Sequence, residues 1–356
     1  MTAAEGESAA CAPTPSDPIA AALVALLAAL APQHDARLAE QLIESAASLI
    51  SDQPATLDLK IASAALEEMR QAFLVFAPWR DQPKVTIFGS ARTQPNDPLY
   101  AQARDVAARL AAEGWMVVTG AGPGIMRAGM EGAGRDHSIG VSIRLPFEQG
   151  ANPIIAGDEK YVSMKYFFTR KLMLIKESRG FVCLPGGFGT LDETFELLTL
   201  TQTGKGLPVP IVFLDTPGDP YWERVHEFVL DQLVKRGLVA QPDTNLYFIT
   251  DDCDAAVDEV LRFYRNYDSL RYVGEQLVLR VKQAPSPDQL TQLNDRFGHL
   301  CSSGSITVVE PFGVERREDD RLTMQRVSFA FAKHGYGDLR ALINMLNAFA
   351  TESLED

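Results

Sequence analysis

The chain has 356 residues, of which 46% are hydrophobic and 22% charged, with a formal net charge of −14. This is the composition of a globular protein with room for one main domain and additions, and the acidic balance argues against a nucleic-acid backbone as partner and for a small ligand. Cys11, Cys183, Cys253 and Cys301 lie far apart, as do His34, His137, His226, His299 and His334, so no metal site is expected and a reducing, cytoplasmic compartment is.

Residues 1–18 are small, polar and Pro-containing and read as a disordered tail. Ile19 to Ala31 is an apolar run, but no Lys or Arg precedes Arg37 and the run is too short to span a bilayer, so it reads as a helix and not as a signal peptide or membrane anchor. Two more helices are expected over Ala36–Ile50 and Thr56–Phe76, completing a helical extension over 19–80 whose default role is packing or oligomer contact.

From Lys84 strands and helices alternate. Strands are expected at Val85–Phe88, Trp115–Thr119, Ile139–Leu145, 181–184, 209–214 and 245–249, and helices at Pro98–Glu113, from Ile125 to about Asp136, and at 165–178, 191–203, 219–236 and 251–266. Such alternation implies βαβ units and a doubly wound, Rossmann-like parallel sheet, here over 81–268. Glycine turns follow three of the strands, at Gly89, at Gly120–Gly124 and at Gly186–Gly189. All three should gather at the carboxyl edge of the sheet, where such folds bind ligands.

A composition shift near Asn266–Arg271 opens a small α+β appendage over 269–356, with strands at Gln276–Val281, Ile306–Glu310 and Leu322–Ala332, helices at Ser286–Leu300 and Asp338–Ala350, and a charged loop at Gly313–Asp320. Packing, an oligomer contact and an effector site are all compatible with it.

The turn from Gly180 to Glu193 carries the most chemistry. Pro185 ends a buried strand, Gly186, Gly187 and Gly189 leave the backbone bare, and a helix follows Thr190. Free N–H groups and the positive helix end suit a phosphate, although the same pattern also occurs as plain packing. Asp192 reads as an acid complementing the helix dipole, and Glu193 as an acid working on another part of the ligand. On helix 165–178, Phe168, Leu172 and Ile175 share one face, yet Arg170 is also surrounded by Phe167, Met173 and Leu174. A guanidinium there needs an anion, either a nearby carboxylate or a ligand. Ser90 reads equally as a ligand contact and as a turn residue. The Gly120–Gly124 turn misses the dinucleotide spacing, because Ile125 and Arg127 stand where G-x-G-x-x-G requires Gly.

Pro185-Gly-Gly-x-Gly-Thr-x-x-Glu193, preceded by Arg170-Lys171, resembles the LONELY GUY (LOG) family of cytokinin riboside 5′-monophosphate phosphoribohydrolases and the related bacterial nucleotide 5′-monophosphate nucleosidases. The resemblance covers about residues 84 to 265, and Gly124-Ile-Met126 fits it too. Ala121 stands in place of one Gly of the family's usual triplet, and Tyr166-Phe-Phe-x-Arg-Lys171 looks more like the longer bacterial branch. The resemblance implies catalytic roles for Arg170 and Glu193, and substrate contacts at Ser90, Gly122, Gly124, Lys171, Gly186, Gly187, Gly189 and Thr190. It implies hydrolysis of nucleoside 5′-monophosphates, AMP-like or cytokinin riboside monophosphates, to base and ribose 5-phosphate, with no cofactor. It also implies a homo-oligomer, a dimer or larger. Arg170 would hold Glu193 ionised and lower its pKa. The rival is a non-catalytic carrier such as the molybdenum-cofactor carriers, which use comparable glycine loops; the presence of both Arg170 and Glu193 favours the enzyme. A lysine decarboxylase, a label attached to similar sequences, finds no support in the surroundings of Lys171 and Lys176.

Overall fold

The computed structural model describes residues 18–30, 35–146 and 150–352, so most of the expected disordered tail lies outside the described residues. The chain forms two compact units, 1–67 and 68–356. In the first, α1 (Pro18–Leu30) contacts α2 (Ala36–Ser51), and α3 (Thr56–Phe76) begins there and ends in the second unit. Among the described residues no helix is long and apolar enough to cross a membrane.

The second unit alternates β1 (Lys84–Phe88), α4 (Pro98–Ala112), β2 (Met116–Thr119), α5 (Ile125–Ala133), β3 (Ser138–Ile143), β4 (Tyr161–Met164), α6 (Phe167–Lys176), β5 (Gly180–Cys183), α7 (Phe188–Gln202), β6 (Ile211–Leu214), α8 (Tyr221–Phe228), β7 (Phe248–Thr250) and α9 (Cys253–Phe263). The strands form one parallel sheet in the order β4-β3-β2-β1-β5-β6-β7. Every residue of β1, β2, β5 and β6 is buried, as expected of strands covered on both faces. Alternation along β1 sorts the two faces. Val85 and Ile87 pack with α4, α5 and α9, while Phe88 packs with Phe76, Met173, Leu174, Leu197 and Trp222 from the other layer. The sheet is therefore α/β and doubly wound. Its winding reverses at β1, which pairs with β2 on one side and β5 on the other, and this reversal places a crevice beyond the carboxyl ends of β1 and β5.

Several boundaries differ from expectation. The edge strand β4 was not expected, because it is only 4 residues long and follows a Gly- and Pro-containing stretch. Helix α7 starts at Phe188, three residues earlier than expected. Helix α8 stops at Phe228 and continues as π-helical turns over Val229–Val234.

The remaining elements are β8 (Tyr267–Val273), β9 (Gln276–Val281), α10 (Pro287–Phe297), β10 (Cys301–Val308), α11 (Gly313–Glu318), β11 (Gln325–Phe331) and α12 (Tyr336–Glu352). The four strands form an antiparallel sheet, β10-β11-β9-β8, whose apolar face packs on α10 and α12. The unexpected β8 runs across the expected boundary at 268/269. It makes a hairpin with β9 through Gly274, whose φ is +60°. The expected charged loop 313–320 contains α11, anchored by its one buried charge: Glu315 accepts hydrogen bonds from Arg280 and Arg326, while the flanking charged residues Arg316–Asp319 stay exposed. Strand β10 starts at Cys301, upstream of the expected Ile306, because pairing with β11 recruits the polar Ser302–Ser305 stretch.

Candidate active site

The turns after β1, β2 and β5 meet around Ser90. Its N–H donates to Pro185 O (3.2 Å), and its carbonyl accepts from Ile125 N (3.0 Å). Space is the reason for glycine here. A Cβ on Gly124, where φ is +65°, would lie 2.3 Å from Ser90 O, and one on Gly186 would lie 2.2 Å from Thr190 Oγ1. The Ser90 hydroxyl accepts from Arg92 N within its own turn. Ala121 keeps a left-handed backbone (φ +57°) without being glycine. Its N–H is held by Thr119 Oγ1, and Asn152 binds the carbonyls of Ala121 and Gly122.

Gly187 is the N-cap of α7 and offers no side-chain cap. The first-turn N–H groups, of Phe188, Gly189 and Thr190, therefore have no acceptor within the helix. A Cβ on Gly187 or Gly189 would meet nothing within 4 Å, so both border open space. Thr190 is buried, its side chain tucked under Gly186, whereas Phe188 is 93% exposed beside the opening. Tyr221 Oη donates to Gly186 O at 2.7 Å and holds the loop from the side of β6.

Arg170 and Glu193 meet at this edge. Arg170 Nη1 donates to Glu193 Oε1 at 2.6 Å and Nε to Val141 O, at 3.0 Å, on β3. The buried stripe of α6 is Thr169, Arg170, Met173 and Leu174; Phe168 and Leu172 on the other stripe are half exposed. The anion that Arg170 requires is thus a carboxylate of the chain itself. The expected lowering of the Glu193 pKa is corrected: burial pushes the carboxyl up by more than the Arg170 guanidinium pulls it back. Lys171 is occupied by Glu196 (2.5 Å) and Asp192 (3.2 Å). Burial draws its pKa down, but the two carboxylates outweigh that and raise it.

Sequence reading missed three supports: Gly120, which makes room for the Arg170 guanidinium, the Val141 carbonyl, and Tyr221. It also passed over Asp215, a buried acid following β6 whose pKa burial raises to about 6. An acid directly after a buried strand was the available signal for it. Among the described residues no group of three or more His, Cys, Asp and Glu could hold a metal ion.

The family described as "Possible lysine decarboxylase" matches residues 124–260. A probable cytokinin riboside 5′-monophosphate phosphoribohydrolase of Oryza sativa subsp. japonica is 27% identical over 190 residues, covering 52% of this chain and 87% of that one. A second, of Arabidopsis thaliana, is 32% identical over 116 residues, and this chain spans only 54% of its length. Among solved structures, the molybdenum cofactor carrier protein of Chlamydomonas reinhardtii aligns with a TM-score of 0.36 at 21% identity, covering 51% of this chain and 97% of that one. The family match spans the stretch that contains Arg170 and the Pro185–Glu193 motif, and both curated relatives carry the phosphoribohydrolase name of the LOG family.

Proposed function

We propose that this relative of the LOG family hydrolyses the N-glycosidic bond of nucleoside 5′-monophosphates. The observation that carries the reading is the buried Arg170–Glu193 pair, 2.6 Å apart, on the same sheet edge as the open first turn of α7. The phosphate lies against the N–H groups of Phe188, Gly189 and Thr190, where the helix end favours an anion. Gly122 and Gly124 wall the neighbouring turn, and Ser90 joins the two.

Cleavage breaks the bond between C1′ and the base nitrogen and leaves positive charge on the ribose ring. The Glu193 carboxylate stabilises that charge or takes a proton from the attacking water. Water oxygen becomes the C1′ hydroxyl, and the departing base gains a proton. Arg170 fixes the Glu193 carboxylate and thereby its distance from the phosphate cradle. Lys171, tied to Asp192 and Glu196, acts by orienting these acids on α7. The pairing keeps Lys171 protonated, so it does not offer the neutral amine that a Schiff base requires. The protein works as a homo-oligomer, for which the half-exposed Phe167, Phe168 and Leu172 of α6 supply an apolar face; light scattering on the purified protein tests this.

The test is incubation with AMP, GMP, CMP, UMP and an N6-modified AMP, following free base and ribose 5-phosphate by chromatography, with Glu193→Gln as control. Base release by the parent alone is expected. Tight binding of a nucleotide without release would replace the hydrolase with a carrier.

A further inference from the structure

We propose that Glu68, on the last turns of α3, is a positioning residue for the reaction, holding Arg170 in place by capping α6 from outside; this rests on the hydrolase reading of Arg170. Helix α6 needs such help. Its N-cap is Tyr166, and no side chain of its own caps it. Tyr is not among the residues that satisfy the first N–H groups of a helix, which are chiefly Ser, Thr, Asp and Asn. Only Lys165 and Tyr166 separate β4 from α6, so the direction in which the chain enters the helix is set by what holds these two residues.

Glu68 holds both. The residue is only 6% exposed. Its Oε1 accepts from Lys165 N at 2.6 Å, and its Oε2 accepts from Tyr166 N at 3.4 Å. Thr169 Oγ1 lies 2.7 Å from Oε2 and 2.9 Å from Tyr166 O, and the charged, nearer acceptor is the stronger one for its single proton. Arg144 Nη2 approaches Oε1 at 3.4 Å. One carboxylate thus joins the exit of β3 (Arg144), the exit of β4 (Lys165) and the first turn of α6 (Thr169). A negative charge at this helix end also matches the dipole.

These are the elements that set Arg170. Its neighbour in the chain is Thr169, and its Nε bonds Val141 O on β3. Arg144 N in turn donates to Met164 O, at the end of β4, at 2.7 Å. The second half of α6 is anchored independently, by Met173 and Leu174 in the core. Loss of Glu68 therefore releases the first turn, with Arg170 in it, while the helix stays docked. A buried acid that only stabilised the fold would have no reason to act through this one turn.

The experiment compares the parent, Glu68→Gln and Glu68→Ala, alone and combined with Arg170→Lys, by steady-state kinetics and by amide hydrogen exchange over residues 165–175. The Gln variant retains the size and one acceptor, which guards against simple misfolding. Glu68→Gln is expected to lower kcat about 10- to 100-fold, the cost of a small misplacement of a catalytic group. KM should stay within about twofold, because the phosphate cradle is untouched. On the Arg170→Lys background the same substitution should add little, since two changes acting through one group are not additive. Exchange should rise at 167–171 and not in α12. An unchanged kcat in Glu68→Gln, or an equal further loss on the Arg170→Lys background, overturns the proposal. If the parent releases no base at all, the hydrolase reading has failed, and positioning is then decided by exchange alone: faster exchange at 167–171 supports it and unchanged exchange refutes it.

Discussion

A Cβ on Gly120 would lie 2.1 Å from Arg170 Nη2 and 2.6 Å from Met126 Sδ. The turn after β2 and the guanidinium are thus packed to contact, and Gly120 is glycine for space and not for backbone conformation. Arg170 cannot yield without giving up Glu193 or Val141, its partners at 2.6 and 3.0 Å. Gly120→Ala is therefore expected to cost about 10- to 100-fold in kcat, as displacement of a catalytic group does, with affinity for the nucleotide phosphate retained. Isothermal titration beside turnover assays checks this. Full turnover in Gly120→Ala would mean that the guanidinium's placement is not needed.

Glu193 gives opposite pH signs for stability and for activity. Burial raises its pKa above the ordinary 4.5. A raised carboxyl pKa means that folding favours the protonated form. The stability that Glu193 contributes is therefore greatest below its unfolded pKa and declines as pH rises through the folded one. Activity needs the carboxylate and falls as pH drops through that same folded pKa. The acid limb of kcat is accordingly expected above pH 4.5. Glu193→Gln should lose about 10²–10⁴-fold in kcat, the usual range for a positioned acid or base. Its melting temperature at pH 8 should fall below the parent's, because the buried Arg170 guanidinium loses its anion. A fully active Glu193→Gln would end the catalytic role, and an acid limb below pH 4.5 would end the burial argument.

The doubly wound sheet was legible because its strands are short apolar runs and its punctuation is glycine. Gly186 and Gly124 each mark a place where a side chain would strike the neighbouring turn. Arg170 was legible as a guanidinium among apolar residues, a placement that requires an anion, and Glu193 was legible as a partner for it. What stayed hidden depends on distant pairing. Strand β8 carries Asp268, Ser269 and Arg271 and becomes a strand only by pairing with β9. Glu315 looked like part of a solvated loop, yet it is fully buried because Arg280 and Arg326 reach it from two strands. Glu68 carried no local signal either, since the helix it caps starts about a hundred residues later.

Gly187 separates binding from folding. Its φ is ordinary, at −87°, and an added Cβ would meet nothing of the protein within 4 Å. Gly187→Ala should therefore fold with a melting temperature close to the parent's. The methyl group would instead stand in the space that the phosphate needs beside the first turn of α7. Binding of a nucleoside 5′-monophosphate should weaken about tenfold or more, as when a ligand group loses well-aimed N–H partners, while binding of the corresponding nucleoside should hardly change. Equal losses for both ligands would move the phosphate away from this turn.

Arg340 tests how the second sheet is fastened to the first. From α12 its Nη1 donates to Val209 O at 2.6 Å, just ahead of β6, and its Nη2 pairs with Glu259 on α9. Its guanidinium also stacks over the Phe263 ring, 4.2 Å from the centroid. Burial lowers the Arg340 pKa to about 10, less than it would without the Glu259 carboxylate. Both partners are almost fully buried, so removing Arg340 leaves the Glu259 carboxylate with only the half-exposed Arg262, and removing Glu259 leaves a buried guanidinium without its anion. Arg340→Ala is expected to destabilise the protein by about 3–5 kcal/mol, the usual cost of breaking a buried pair. Arg340→Met with Glu259→Gln should recover much of that, since neither charge is then left alone. The folded fraction of each variant should turn over at the parent's rate, because the pair lies at the opposite edge of β6 from the Gly186 turn. Denaturant melts beside kcat per folded molecule decide it. A loss of kcat without a loss of stability would make α12 part of the catalytic machinery.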